Sequence, residues 1–370
     1  MKIPKLSLAA SLCLAAFGAS AQSSVTMYGS IDQYLNVMKS SSGTRIVALE
    51  DGTSLRSRLG FRGVEDLGGG MSAKFQLEMG FATDSGAPAD TARAFDRQSW
   101  VGLATPYGEF RLGRQNGVVF GRGDYIDFTS RTLGSVVNAF GTPSRFDNDI
   151  AYISPRVGGF MAEAHFALAE TTAGFAKQAV YQSGLDYLNG PFRVGYAGIV
   201  GKAPAGAAVS QSMRYDNLYA NYDYGNGKLY GVYIRSNNNA ASGVLNNGGS
   251  ILGNVGGLVA GTNTEANRFY RIVQLSADYN VSPLLRVGGL YGRITDLSGN
   301  GKNANGFGLG AYYLLSKRTT LVALANSLRN DTNAGFRPAG SAGIRANFTA
   351  AGDVNGQTIN GIQLGIVHKF

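Results

Sequence analysis

The chain reads as an all-β protein, a 16-stranded antiparallel transmembrane β-barrel. Three observations lead there: an end-to-end alternation of apolar and polar residues, two classes of connection taken in turn, and a composition rich in Gly and aromatic residues. Of 370 residues, 53 are Gly, 19 Tyr and 19 Phe, against 9 Pro, 2 His, 1 Cys and 1 Trp. Disorder is excluded, since 44% of the chain is hydrophobic and Pro is scarce. One Cys excludes a disulfide scaffold or a zinc finger. Outside the N-terminus no apolar run approaches the roughly 18 residues that a spanning helix needs.

Residues 1–21 read as a cleaved export signal. Lys2 and Lys5 form the positive start, Leu6 to Phe17 the apolar stretch, and Ala19-Ser20-Ala21 the small-residue cleavage site. A buried N-terminal helix is the alternative. Leu12 stands where a small residue would precede a lipidated Cys13. The cut falls before Gln22 and leaves 22–370 as a single barrel domain. It removes Lys2 and Lys5, so the net charge of +9 falls by two to +7.

Strand-like runs of about ten residues follow, the length that crosses a bilayer at a tilt. Short connections carry turn chemistry, at Glu65–Gly70, Thr105–Gly108, Ser154–Gly159, Asn189–Pro191, Gly225–Gly227, Asn280–Pro283 and Ser316–Arg318. Long ones, rich in Gly, Ser, Asn and Asp, are expected at 39–55, 82–96, 115–146, 169–180, 201–213, 236–266, 295–305 and 329–357. Fifteen connections separate sixteen strands. Every proline after the signal falls in one of them, where a missing N–H breaks no ladder.

Within the runs the two faces separate cleanly. Val25, Met27, Ile31 and Leu35 oppose Thr26, Ser30, Asp32 and Asn36; Leu218 and Tyr222 oppose Asn217, Asn221 and Asp223; Phe307, Leu309 and Tyr313 oppose Gly308, Gly310 and Tyr312. A soluble sandwich or β-solenoid gives the same local pattern. Strand number, the two loop classes and the export signal favour the barrel, which lipid forces to close because an open edge leaves backbone groups unpaired.

Several segments resemble the general porins of Gram-negative outer membranes, in the neisserial/betaproteobacterial family. They are Val25–Asp32, Ser57–Gly63 followed by Glu65–Gly70, Arg97–Leu103, Leu112–Gln115, Ser316–Thr319 and Gly365–Phe370. The resemblance implies a homotrimeric channel for small hydrophilic solutes and ions, narrowed by a third loop folded into the lumen. It places Arg58, Arg97 and Arg145 in the constriction, with Arg62 and Lys74 nearby, opposite loop acids Asp124 and Asp127. The Pro-Glu-Phe-Gly stretch common in that loop among relatives is absent from 115–146. Gln363, Gly365, His368 and Phe370 resemble the signal read by the barrel-assembly machinery. Outer-membrane lipid and lipopolysaccharide are the other implied partners, and no cofactor, metal or nucleic acid is implied.

The residues support parts of that placement by themselves. Arg56, Arg58 and Arg62 share one parity, Leu59 and Phe61 the other. Arg97 is opposite in parity to Trp100, so an indole facing lipid would turn Arg97 to water. Val118, Val119, Phe120, Tyr125, Ile126 and Phe128 suit a loop packed on the inner wall better than a solvated tip. Guanidinium groups stay ionised and hydrate weakly, so a row of them passes anions from site to site. The expected preference is therefore for anions.

Enzyme readings lack their parts. His165 and His368 are the only histidines, with neither G-x-S-x-G nor H-E-x-x-H beside them. Gly306–Gly310 superficially matches a dinucleotide loop but sits inside an alternating run. No run of five Lys/Arg suggests nucleic acid. A substrate-specific channel, or a barrel acting as adhesin or receptor through its long loops, are the alternatives to free diffusion.

Overall fold

A computed structural model describes residues 24–168, 180–201, 212–237, 269–340, 344 and 346–370. The expected signal at 1–21 and most of the connections at 169–180, 201–213 and 236–266 lie outside those residues. Seventeen antiparallel segments form one closed sheet. The first half comprises β1 Ser24–Ser40, β2 Arg45–Asp51, β3 Arg58–Gly68, β4 Met71–Gly80, β5 Gln98–Thr105, β6 Gly108–Asn116, β7 Arg145–Ile153 and β8 Phe160–Ala167. The second comprises β9 Val180–Asn189, β10 Phe192–Gly201, β11 Met213–Asp223, β12 Lys228–Ser236, β13 Tyr270–Asn280, β14 Leu285–Asp296, β15 Ala304–Leu314, β16 Thr319–Asn330 and β17 Thr358–Lys369. β1 closes the barrel on β17, from Ser30 opposite Lys369 to Ser40 opposite Ile359.

There are sixteen barrel positions, because β2 and β3 are one strand interrupted. Both pair with β1, β3 along Ser24–Ser30 and β2 along Gln33–Lys39. The long connection expected at 39–55 is therefore corrected to a tight turn after Ser40, a returning strand and a break at residues 52–57. Asp32 makes the break. Its carboxylate accepts from the Thr53 N–H (2.9 Å) and hydroxyl (2.6 Å) and from the Ser54 and Leu55 N–H groups (both 2.8 Å). Backbone groups that leave the ladder must find partners elsewhere, and a buried carboxylate supplies four acceptor positions.

The outer face is apolar. Val101, Leu103, Leu112, Leu218, Leu275, Leu309, Ile362 and Leu364 all point outward, as their parity requires. Aromatics gather at the short-turn end: Phe110 against Tyr152, Phe160 against Tyr187 and Phe192 against Tyr222, with ring centroids 4.5–4.9 Å apart. Such a girdle marks one membrane–water interface.

The connection after β6 turns inward. Residues 117–144 carry two helical turns, Val118–Gly121 and Val136–Phe140, and cross the inner wall from β8 to β15. Polar lumen-facing side chains pin its backbone. Gln182 Oε1 accepts from the Val118 N–H (3.0 Å), Gln274 Oε1 from that of Val136 (2.8 Å) and Ser276 Oγ from that of Phe128 (3.1 Å). Glycines make the space. A Cβ at Gly310 would lie 2.7 Å from the Phe128 ring, one at Gly292 2.9 Å from Val136 and one at Gly184 2.7 Å from Val118. The glycine-rich run at 306–310 is thus a floor on which the loop lies. The connection between β16 and β17 also folds inward, where Phe336 packs on Phe140 and Tyr270.

Candidate functional site

What the inward loop leaves open faces the first strands of the barrel. There Glu78 on β4 collects cations: Arg97 Nε lies 2.6 Å and Arg58 Nη1 3.8 Å from its Oε1. Tyr28 donates to Glu78 Oε2 at 2.9 Å, and Gln76 donates to Tyr28 at 2.5 Å, which holds the carboxylate in place. Arg58 and Arg97 line a cavity of about 250 Å³ with Phe120, Asp124, Arg131 and Asn138 from the loop. Arg145, at the start of β7, stacks on the Phe120 ring at 4.7 Å, and Arg131 on the same ring at 4.2 Å. Its Nε and Nη2 are buried without hydrogen-bond partners. It feels repulsion from Arg97, Arg114 and Arg58 and attraction from Glu78. Four guanidinium groups against two carboxylates leave the zone positive.

The loop holds its position by charge as well as by packing. Arg122 Nη2 meets Glu163 Oε2 at 2.6 Å, and Glu163 Oε1 meets His165 Nε2 at 2.9 Å. His165 Nδ1 meets Asp149 Oδ2 at 2.6 Å. Burial alone would lower the Arg122 pKa, but Glu163 outweighs it and the net shift is upward. Burial pulls Arg131 below its ordinary range, against attraction from Tyr215, Asp127 and Asp124. On the connection after β4, Asp90 sits below the usual carboxylate range through the Ala92 N–H and Arg93. Arg93 also reaches Asp147 at 3.1 Å, which Arg114 contacts at 2.5 Å.

The expected site residues separate into groups. Arg58, Arg97 and Asp124 meet around one cavity, and Arg145 lies behind Phe120. Arg62 and Lys74 are elsewhere, toward the short-turn end. Arg62 is exposed beside the Tyr28 ring (5.5 Å), and Lys74 pairs with Glu109 at 2.8 Å. Their parity is right, but four residues of strand carry Arg62 about 13 Å beyond Arg58. Asp127 does not face the opening. It is 1% exposed and accepts from the Thr129 N–H and hydroxyl, the Arg131 N–H, the Ser135 hydroxyl and Gln274 Nε2, so it folds the loop and ties it to β13.

The inference from Trp100 also needs correcting. The indole is on the lumen face, donating to Gln98 at 3.1 Å with Arg111 stacked on it at 4.4 Å. Arg97 reaches Glu78 because it precedes β5, where strand parity does not apply.

Two features escaped sequence reasoning: the Asp32 hub, and the bond from the Thr132 hydroxyl to the Thr53 carbonyl (2.6 Å) that joins the loop to the break. An inward Asp followed about twenty residues later by Gly-Thr-Ser was the available signal for the first.

At the end of β17, Gln363 is buried and bonded to Asn36 (3.1 Å) and Asn326 (2.8 Å). A Cβ at Gly365 would meet Tyr34 at 2.8 Å. His368 contacts the Thr319 hydroxyl at 2.9 Å, and Phe370 exchanges backbone hydrogen bonds with Gly29.

A barrel with an inward third connection facing a row of arginines has known counterparts. The family model described as Gram-negative porin matches residues 8–333. The chain belongs to that porin family. An outer membrane porin protein of Bordetella pertussis is 31% identical over 88% of this chain and 94% of its own length. Outer membrane porin protein 32 of Delftia acidovorans is 31% identical over 99% of this chain and 100% of its own. The major outer membrane protein P.IB of Neisseria meningitidis is 33% identical over 50% of this chain, and the match spans 56% of that relative. Among solved structures, the anion-selective porin from Comamonas acidovorans superposes with a TM-score of 0.74 at 27% identity, over 94% of this porin and 100% of that chain.

Proposed function

We propose that this porin forms a water-filled channel in the outer membrane for passive diffusion of small hydrophilic solutes and ions, with a preference for anions. The observation that carries the reading is the cavity between the inward loop and β3–β5, where Arg58, Arg97 and Arg131 face Asp124. Arg58, Arg97 and Arg145 supply its positive field. Asp124 sets a transverse field across it. The solved anion-selective porin supports the sign of the preference. A barrel of sixteen strands is wide enough to keep an aqueous lumen, so a loop lying across it sets the aperture. No chemistry is assigned to the channel.

The porin works as a homotrimer in this reading, its subunits meeting through the apolar outer faces of β1 and β17, where Ile31, Leu35, Ile362 and Leu364 are exposed. One solved porin-like structure is described as a trimer form. Residues 1–21 direct export and are removed. Gln363, Gly365, His368 and Phe370 serve the barrel-assembly machinery, and lipid with lipopolysaccharide surrounds the finished barrel. Planar-bilayer recording of the purified porin in a KCl gradient tests the proposal. Stepwise conductance with a reversal potential on the chloride side is expected, and a barrel that does not conduct would overturn it.

A further inference from the structure

Beyond the constriction, toward the short-turn end, lies a second cavity of about 390 Å³. Ser54, Leu55, Asp124 and Ser130 line both cavities, so the two adjoin. The two differ in character. The first is walled by guanidinium groups, whereas the second sets Leu55, Phe128, Val322 and Val367 against Arg286 and Lys369.

Arg286 is held for use. It stacks on the Tyr312 ring at 4.6 Å and donates through Nη1 to the Phe128 carbonyl (3.2 Å) and to Asp278 (3.1 Å). Its other N–H groups are not engaged in those bonds. Ser54 and Tyr312 also line the cavity, and their buried hydroxyls interact with one another. A guanidinium with N–H groups to spare beside an apolar wall fits a carboxylate that carries a hydrocarbon tail. The volume falls within the range of small-molecule sites, which combine apolar walls with a few converging polar groups.

We infer that this cavity is a binding site for amphipathic monocarboxylates, short aliphatic or aromatic acids. The carboxylate takes the Arg286 guanidinium, and the hydrocarbon lies on Phe128, Val322 and Val367. Chloride cannot use the apolar wall, and a neutral amide of the same length forfeits the charge. Asp124 at the lip disfavours a second carboxylate. The transport consequence rests on the channel reading above; the binding does not.

Calorimetric titration of the detergent-solubilised porin with hexanoate, acetate and hexanamide tests the site, with titration into detergent alone as blank. Hexanoate should bind at least tenfold more tightly than either: four buried methylenes supply the margin over acetate, and the charge pair with Arg286 the margin over hexanamide. Arg286→Gln should abolish the advantage over hexanamide, and Val322→Asn the advantage over acetate. The comparison of ligands on the unaltered porin stands even if a variant misfolds. Hexanoate binding no better than acetate or hexanamide overturns the site. Bilayer recording keeps the two readings apart: a conducting porin without hexanoate preference loses the site alone, and a non-conducting barrel that binds hexanoate loses the channel alone.

Discussion

The two sides of the lumen wall are built on opposite plans. From β8 to β15 the inner face seats the inward loop: Gly184, Gly288, Gly292, Gly306, Gly308 and Gly310 leave room for it, Gln182, Gln274 and Ser276 bind its backbone, and Glu163 pairs with its Arg122. From β1 to β6 the inner face is large and charged, with Arg58, Arg97 and Glu78 left facing the gap. One side receives a plug and the other supplies the field. An aperture needs emptiness on one wall as much as charge on the other. The loop meets the charged side where Thr132 donates to the Thr53 carbonyl and where Phe128 and Leu133 share a hydrophobic cluster with Tyr34 and Leu55.

The most damaging single change should be at the hub of the charged side. Asp32→Ala leaves the Thr53, Ser54 and Leu55 N–H groups without their acceptor in a buried setting. Each unmet buried donor costs roughly 1–3 kcal/mol, so a loss of at least about 3 kcal/mol is expected. Asp32→Asn, which keeps one acceptor oxygen, should fall between. Denaturant unfolding followed by tryptophan emission measures both, and a wild-type midpoint for the Ala variant would remove the hub.

On the side that seats the loop the corresponding change adds atoms instead of removing them. Gly288→Val places methyl groups where the Phe128 ring lies. Overpacking of this kind costs about 1–3 kcal/mol unless the ring moves. Its movement lifts the loop, so single-channel conductance should rise and become noisier. Gly121→Ala, on the same loop with nothing within 4 Å of the added carbon, is the matched control and should change neither property. Equal behaviour of the two variants would mean that the glycine floor does not seat the loop.

The barrel, its seven short turns and the outward face were legible in the sequence because a strand has a period of two and lipid enforces it everywhere. Arg58 and Arg62 could be assigned a face for the same reason. Depth along the strand carries no such signal, so Arg62 and Lys74 looked equivalent to Arg58. Arg97, outside the ladder, escaped parity altogether. Asp127 and Asp124 differ in no local property; only the fold of the loop buries one and exposes the other. β2 was hidden because its separation from β3 depends on a carboxylate some twenty residues earlier. Glycines at 306–310 were visibly unusual, but their purpose depends on a loop more than 160 residues away.

Removing charge from the positive wall should act on ions without altering the fold. Replacing Arg58, Arg97 and Arg145 with Gln should move the reversal potential in a KCl gradient toward cation preference. Two unit charges 4 Å apart interact by about 1 kcal/mol in bulk water and about 4 kcal/mol at an effective dielectric of 20. Even the lower figure corresponds to a several-fold bias in ion concentration, since about 1.4 kcal/mol is tenfold. Retention of wild-type selectivity would disconnect these arginines from permeation.

The smallest effect is expected from Arg62→Gln combined with Lys74→Gln, and it sharpens the contrast because the two residues share a face with Arg58. Lys74 is answered by Glu109 at 2.8 Å, and that carboxylate is shared with Arg111 at 2.6 Å. Its removal returns Glu109 largely to Arg111 and changes the lumen field little. Arg62 is exposed to solvent, about 13 Å along the strand from Arg58. Screening at about 0.1 M salt acts over roughly 10 Å, so most of its influence on the constriction is lost before it arrives. The double variant should therefore hold the wild-type reversal potential at 0.1 M KCl and shift it detectably only at 0.01 M, where screening extends to about 30 Å. A shift at 0.1 M as large as that of the triple variant would mean that selectivity is spread along the whole wall and not concentrated where the loop narrows it.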